Sequence, residues 1–441
     1  MPEALPADMV AQLDALGRRL MAWTVAHPDA SLALHEQAVL SAVRATLPRL
    51  LETVLQRSTS ALAPPQRRLR YTCPTCARRL RARRWARRQV RTVCGPIRFT
   101  RPWYVCPSCQ RGWSPADAAL GLAPRARLSV GVERWLWSLG ASVPFAEASR
   151  RLAQLTGLAV SAETVRQHSE QQGAALEAQQ QAEATQVLRT REPAGPVVAA
   201  PGQLLVETDG VMVRFTDGWH EVKVGVVAGW DAGRVAAPSY VAARETAEQF
   251  GPRLLAAAVR RGALAVVGWE GGPCGAGLAQ LRAVAVLGDG ALWIWELASE
   301  QFGDGVQIVD FYHAAEHLGT LAQELATGAV ATAWASTQIA RLKAEGGAAV
   351  LASLGQLRAL TPEGAETLRR TRGYFRTNQA RMDYPAFRAQ GLPIGSGAVE
   401  SAAHHLVQLR FKRPGMRWSV AGGRTLLALR AQVVSDDSLA A

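Results

Sequence analysis

The sequence predicts a mixed α/β protein in which helical blocks and a small cysteine module precede a larger sheet. Three observations carry this. Apolar residues recur with period two in successive runs, Leu204–Val206 with Val211 and Val213, then Glu221–Val226, then Pro238–Ala243. Strand-like runs Ala283–Leu287 and Val306–Val309 then alternate with helical patterns over Ala247–Arg260 and Ala291–Phe302, which describes a mixed sheet with helical connections. Upstream, Cys73-Pro-Thr-Cys76 and Cys106-Pro-Ser-Cys109 repeat one short motif.

Composition bounds the reading. The 441 residues fit about three domains at ~150 residues each. With 48% hydrophobic and 20% charged residues and a mean hydropathy of -0.01, the chain has the make-up of folded soluble protein. No run reaches the ~18 apolar residues of a membrane span. Glu3, Asp8 and Asp14 stand where a signal peptide carries basic residues. A cytoplasmic protein without a membrane partner is therefore expected.

In chain order, residues 1–62 carry apolar positions at helical spacing (Val10, Leu13, Leu16, Leu20; Val39, Val43, Leu47, Leu51) and predict about three helices. Residues 63–118 hold the cysteine pairs. A two-residue gap lets a turn aim both thiolates at one ion, and two such turns complete a tetrahedral Zn²⁺ site, so Cys73, Cys76, Cys106 and Cys109 are candidate structural zinc ligands. Two disulfides are the rival reading, which suits a cytoplasmic chain poorly. The alternating residues between the pairs read as a hairpin, completing a zinc ribbon. Cys94 and Cys274 read as ordinary buried thiols.

The same region accounts for the charge. Fourteen Arg and no Lys, Asp or Glu lie between Arg67 and Arg111, enough to supply the whole formal charge of +14. Guanidinium forks pair with phosphate oxygens two at a time, so Arg78, Arg79, Arg83, Arg84, Arg87 and Arg88 are candidate nucleic-acid contacts. A solvated basic face or an arm for acidic lipids is the alternative.

Residues 119–192 are helical. Ala148, Leu152 and Leu155 line one helix, Gly157 ends it, and Ser161 is a natural N-cap for a second helix carrying Val165 and His168. This is a helix-turn-helix outline with Arg166 and Gln167 facing outward, an outline many non-binding helix pairs share. Pro193 to Gly202 breaks the helix and opens the sheet region, residues 200–313. Residues 314–390 are helical, and residues 391–441 return to a Gly-rich turn and a helix.

Three carboxylates stand out. Asp209 is a charge inside an apolar strand, Asp289 follows the run Val284–Leu287 at the carboxyl end of a strand, and Glu400 lies in the first turn of a late helix. Singly, each suits a plainer role: Asp-Gly is a common turn pair, and Glu400 suits a capping box. Together they would repel one another unless a divalent cation neutralises them. Asp310 reads either as the N-cap of a helix bearing His313 or as a substitute for Asp289. Trp293 and Trp295 read as core packing or as a platform for a base. Beyond Glu400, His404, Val407 and Phe411 continue its helix face, and Arg410, Lys412, Arg413 and Arg417 with Trp418 form a second basic cluster suited to phosphate.

The doubled Cys-Pro-x-Cys with its Arg-rich spacer, Glu207-Thr-Asp-Gly210, Leu287-Gly-Asp-Gly-Ala-Leu-Trp-Ile-Trp295, Asp310-Phe-Tyr-His-Ala-Ala-Glu-His317 and Pro393-Ile-Gly-Ser-Gly-Ala-Val-Glu-Ser401 resemble the bacterial DDE insertion-sequence transposases of the Mutator-like superfamily, ISKra type. The resemblance runs from the ribbon to about Val434. It implies an RNase H-like core with a helical insertion, about Ala314 to Arg388, before its final acid. It implies that Asp209, Asp289 and Glu400 bind two Mg²⁺ or Mn²⁺ ions, and that Asp310 and His313 form the superfamily's supporting motif. It further implies a nucleoid-associated enzyme that binds terminal inverted repeats, cuts with water, and joins the 3′-hydroxyl to target DNA as a homodimer or larger assembly. A non-catalytic DNA-binding regulator, or a nuclease that cuts without joining, are the competing expectations.

Overall fold

The computed structural model describes residues 5–58, 71–268, 277–281, 284–303 and 305–435. Arg67, Arg68, Arg70 and Cys274 lie outside them. The chain divides into two compact units, Met1–His168 and Ser169–Ala441.

The first unit begins with two helices, α1 (Ala7–Ala26) and α2 (Leu32–Ser58), rather than three, because the apolar spacing runs on unbroken through Pro48. A cysteine-bearing module follows. Two short strands, β1 (Tyr71–Thr72) and β2 (Arg79–Leu80), pair antiparallel, as do β3 (Arg84–Thr92), β4 (Gly95–Val105) and β5 (Gly112–Trp113) in a second sheet. Alternation along β3 and β4 buries Val90, Ile97 and Phe99 against Leu51 and Leu55 of α2.

The same alternation buries Arg88 and Arg101, which needs compensation. Asp117, in the short helix α3 (Pro115–Ala119), supplies it. Its Oδ2 accepts from Arg88 at 2.7 Å and its Oδ1 from Arg101 at 2.6 Å, while Arg88 also donates to the carbonyls of Ala123 and Ala126. Helices α4 (Val130–Ser142) and α5 (Phe145–Thr156) follow, and the first turns of α6 (Ala162–Thr190), whose residues from Ser169 on belong to the second unit, join them. Leu128, Val132, Leu136, Ala148, Leu152 and Val165 form their common core.

The second unit is built on a five-stranded sheet. Its first three strands are an antiparallel meander, β6 (Gln203–Phe215), β7 (Gly218–Asp231) and β8 (Arg234–Ala243). Helix α7 (Ala247–Arg260) follows. A hairpin that periodicity does not predict, β9 (Leu264–Gly268) with β10 (Gly277–Leu281), comes next. Strand β11 (Val284–Gly288) then pairs parallel to β6, and after α8 (Leu292–Phe302), β12 (Val306–Val309) pairs parallel to β11. The order across the sheet is β12-β11-β6-β7-β8.

Both faces of the central strands are apolar because both are covered. On one face Leu204, Val206, Val284 and Val286 pack with α7 and the Leu297–Phe302 end of α8. On the other, Leu205, Ala285, Leu287 and Ile308 pack with α9 (Phe311–Leu325) and the helices α10 (Gly328–Glu345), α11 (Gly347–Gly355), α12 (Pro362–Asn378) and α13 (Tyr384–Ala389). The expected single terminal helix is instead α14 (Gly397–Ala402), a π-helical stretch Ala403–Gln408, the short α15 (Leu409–Phe411) and a separate α16 (Val420–Val434). The π turn shifts the helix face, so His404 is exposed while Val407 and Phe411 are buried. Among the described residues no helix is long and apolar enough to cross a membrane.

Asp117→Ala strands two buried guanidinium groups. Removing one partner of a buried pair costs ~3–5 kcal/mol, so amide hydrogen exchange across β3 and β4 should quicken by roughly two orders of magnitude or more, while α9 and α12 exchange as before.

Candidate functional site

Two arrangements of chemistry-bearing side chains stand out, one in each unit. In the first, each cysteine pair closes a turn in the same way. The amide of Cys73 donates to the carbonyl of Arg78 and that of Ala77 to Cys73, and Cys106, Arg111 and Gln110 repeat the pattern. The residue after each second cysteine, Ala77 or Gln110, takes a left-handed φ of 58° or 56° to allow it. The four sulfurs lie within 4.8 Å of one another, with Cys76 Sγ and Cys106 Sγ 3.6 Å apart. Ligands ~2.3 Å from a tetrahedral zinc ion stand about 3.8 Å from each other, so the set could hold a zinc ion. Donation from the Cys109 amide is the largest influence on Cys106 and holds its thiol below the usual range, while the neighbouring thiols, Cys76 foremost, push Cys109 up to about 12. None of the four is in a disulfide.

The arginines around this cluster separate into two sets. Arg78, Arg79, Arg83, Arg84 and Arg87 are exposed. Arg88 is buried on Asp117, which corrects its expected place on a DNA-facing surface: its guanidinium is taken up by Asp117 and the carbonyls of Ala123 and Ala126. Arg125 and Arg127, outside the field singled out by sequence, line a groove of about 970 Å³ with Arg87 and Trp103. In the helix pair, Gly157 caps α5 at φ 75° and Ser161 Oγ accepts from the Thr164 amide at 3.0 Å. Arg166 and Gln167 both donate to Glu163.

In the second unit the sheet register sets the acids. Leu287 of β11 is level with Glu207 of β6. Asp289 lies two residues beyond Leu287, just past the end of β11, and its charge acts on Asp209. Asp310 follows β12, and its amide donates to the Gly288 carbonyl at 2.8 Å. Glu400 is exposed on the first turn of α14.

Two buried carboxylates fasten α14 to this end of the sheet. Glu207 Oε2 accepts from the Val399 amide at 2.7 Å, across 192 residues of sequence. Asp310 Oδ2 accepts from the Ser396 amide at 2.5 Å and its Oδ1 caps α9 through the His313 amide at 2.6 Å. Both Asp310 oxygens are thus engaged by backbone amides, and the residue is 1% exposed. Its place is that of a cap and clamp, not of a replacement for Asp289. Gly395 completes the fit, since a Cβ there would lie 2.8 Å from the Tyr312 ring.

Electrostatics report the crowding. Burial pushes the Glu207 carboxyl up to about 7, with the Val399 amide opposing and the charges of Asp310 and Glu400 adding to it. Burial likewise raises Asp209; the Gly210 amide opposes, and the charges of Asp289 and Glu400 raise it further. The second-unit acids therefore influence one another, although among the described residues the four cysteines alone bring three or more ligand atoms within 4.8 Å. Two ions ~3.5–4 Å apart are reached by carboxylates standing wider than the ligands of one ion, and an all-oxygen set matches Mg²⁺ or Mn²⁺. Asp209, Asp289 and Glu400 offer oxygen donors only, the ligand type of hard cations.

Of the remaining expectations, Trp295 is core, 3% exposed beneath Arg381, and Trp293 packs against both sheet-face cores with Lys223 over its ring. Arg410 corrects the second basic cluster. It is 1% exposed, stacked on Trp418, with burial holding its pKa down to about 9, so it is a core residue rather than a phosphate contact. Lys412, Arg413 and Arg417 are exposed. Glu207 is the site residue that the sequence does not single out. Its one signal is a second acid on the Asp209 face of an apolar strand, two positions away.

Residues 36–224 match the model of an uncharacterised protein family, UPF0236. The match takes in the cysteine cluster, the helix pair and Asp209, and stops before Asp289 and Glu400. No curated protein matches the chain.

Two outcomes check this geometry. Purified chain should carry one zinc per molecule by metal analysis, and Cys76→Ser should lower that content with loss of exchange protection in β1, β2 and β5. Glu207→Ala should leave the Val399 amide without its buried acceptor, at ~1–3 kcal/mol, read as faster hydrogen exchange in α14 with β7 and β8 unchanged.

Proposed function

We propose that the protein is a divalent-metal-dependent DNA transposase with an RNase H-like core, in which Asp209, Asp289 and Glu400 hold the cations. The observation that carries this reading is the convergence of three acids from distant parts of the chain on one end of the sheet. A central strand places Asp209, the turn after the next parallel strand carries Asp289, and the helix bearing Glu400 is fastened nearby by Glu207 and Asp310. An antiparallel meander followed by two parallel strands on its first member, in the order β12-β11-β6-β7-β8, supports the core assignment.

The chain's own residues have separable tasks in this reading. Asp209 presents its carboxylate from within β6 and Asp289 from the turn that follows β11, so both stand on backbone anchored to the sheet. Glu400 approaches on a helix whose entry is clamped, so its reach depends on Asp310 and Glu207 staying in place. Bound divalent cations supply Lewis-acid stabilisation of charge at the phosphoryl group in both cleavage and joining. Exposed Lys412, Arg413 and Arg417 follow the Glu400 helix and suit the flanking phosphates.

DNA is the substrate class this reading takes, for a reason of charge. Nine of the eleven arginines between Arg78 and Arg111 are exposed, and Asp117 compensates the two buried ones. The zinc-ribbon region and the Ser161-capped helix are the proposed DNA-binding parts, with Arg78, Arg79, Arg83, Arg84, Arg87, Arg166 and Gln167 as contacts. Joining two DNA ends requires two copies of the chain or more.

Supercoiled plasmid bearing the DNA that flanks the coding sequence, incubated with protein and Mg²⁺, should yield nicked and strand-joined products. Asp209→Asn and Glu400→Gln should each lower that yield by about 10²-fold or more while DNA binding in a mobility-shift assay persists. Binding without cutting by the unaltered chain would indicate a regulator, cutting without joining a nuclease, and unaffected variants would remove the triad.

A further inference from the structure

The helical segment between Asp310 and Pro393 sends one side chain back to the acid site. Tyr374 of α12 donates its hydroxyl to the main-chain carbonyl of Asp289 at 2.8 Å. Its ring lies over the following residue so closely that a Cβ at Gly290 would be 2.6 Å from Tyr374 Cε2, and Gly290 itself takes φ 106°, a conformation that L side chains rarely adopt. The ring is also braced from α9. His317 stacks on it with centroids 4.1 Å apart and 28° between planes, and His313 meets both rings edge-on. The Asp289 side chain is held separately, its Oδ1 accepting from the Ala291 amide at 2.9 Å.

We propose that Tyr374 is a positioning residue for the cation site, setting the Asp289 carboxylate by fixing the turn that carries it, with His317 holding the Tyr374 ring in register. This rests on the reading of Asp209, Asp289 and Glu400 as cation ligands. The turn after β11 has a backbone carbonyl, a glycine and a carboxylate in succession, so the carbonyl's direction fixes the peptide plane beside the carboxylate. One hydroxyl therefore limits how far Asp289 can swing relative to Asp209 on the neighbouring strand.

The geometry also gives the helical segment a task at the site. Tyr374 comes from α12, and Tyr384 at the start of α13 donates to the Val309 carbonyl at 3.1 Å, one residue before Asp310. The segment thus touches the ends of both β11 and β12, the strands that lead into Asp289 and Asp310.

The test is Mn²⁺ binding by the full chain without DNA, followed by titration calorimetry with zinc present throughout. Tyr374→Phe keeps the ring and its stack and loses the hydroxyl. Ligand-supporting partners of this kind are worth ~10-fold in metal affinity, so Mn²⁺ should bind about 10-fold more weakly with the melting temperature unchanged. Gly290→Ala displaces the same turn by contact with the ring and should weaken Mn²⁺ binding in the same direction. Asp289→Asn is the control. If it weakens Mn²⁺ binding while Tyr374→Phe and Gly290→Ala do not, the positioning role is wrong and the acid site stands. If Asp289→Asn itself leaves Mn²⁺ binding unchanged, the acid site is wrong and the positioning role falls with it.

Discussion

The second unit depends on two buried carboxylates that bind backbone rather than other side chains. Glu207 and Asp310 accept from the amides of Val399 and Ser396. A carboxylate out of water is costly unless amides or cations replace the lost hydration. Here amides of the Ser396–Val399 entry to α14 do so. The same hydrogen bonds that make burial of these acids tolerable attach a helix to a sheet end nearly two hundred residues away in sequence. Local capping contributes little to holding α14 there, since Ser396 makes no side-chain cap and the six-residue helix runs straight into a π turn.

This arrangement divides the acids into two kinds. Glu207 and Asp310 are directed inward to amides. Asp209, within β6, and Asp289, just past β11, are half-buried, and Glu400 is exposed. Alternation explains why Glu207 and Asp209 share a face, and the parallel pairing of β11 with β6 brings the turn carrying Asp289 near Asp209. Asp209 feels the charges of both Asp289 and Glu400. A site of that kind gains from any cation entering it, because each added charge relieves repulsion already present in the folded chain.

Much of this is legible in the sequence, for identifiable reasons. The meander is readable because one-residue alternation over three consecutive runs matches the pleat of a strand and no helical period, and Asp289 because it ends a run of buried apolar residues. The cysteine cluster is readable because spacing alone dictates a knuckle. Arg88 and Arg410 are not. Burial of an arginine is decided by a distant compensating group, Asp117 for the first and the Trp418 ring for the second, and neither spacing nor composition shows such pairs. The Glu400 helix is readable at its start, but its π turn, which moves Val407 and Phe411 inward, leaves no mark on apolar periodicity. Tyr374 is out of reach for the same reason as Asp117: its meaning lies in a contact 85 residues away.

Charge in the first unit follows the same logic as the acids in the second. Arg88 and Arg101 share one carboxylate, Asp117, in a buried triad. Two guanidinium groups on one carboxylate leave a net positive interior charge, tolerable because Arg88 has two further carbonyl acceptors and Arg101 lies over the Trp103 ring at 4.9 Å. Asp117 follows the arginine field directly in sequence, yet it is committed to the interior and neutralises none of the surface. Since guanidinium hydration is weak relative to ammonium, an arginine-only field gives up less on meeting a phosphate backbone than a lysine field of equal charge would.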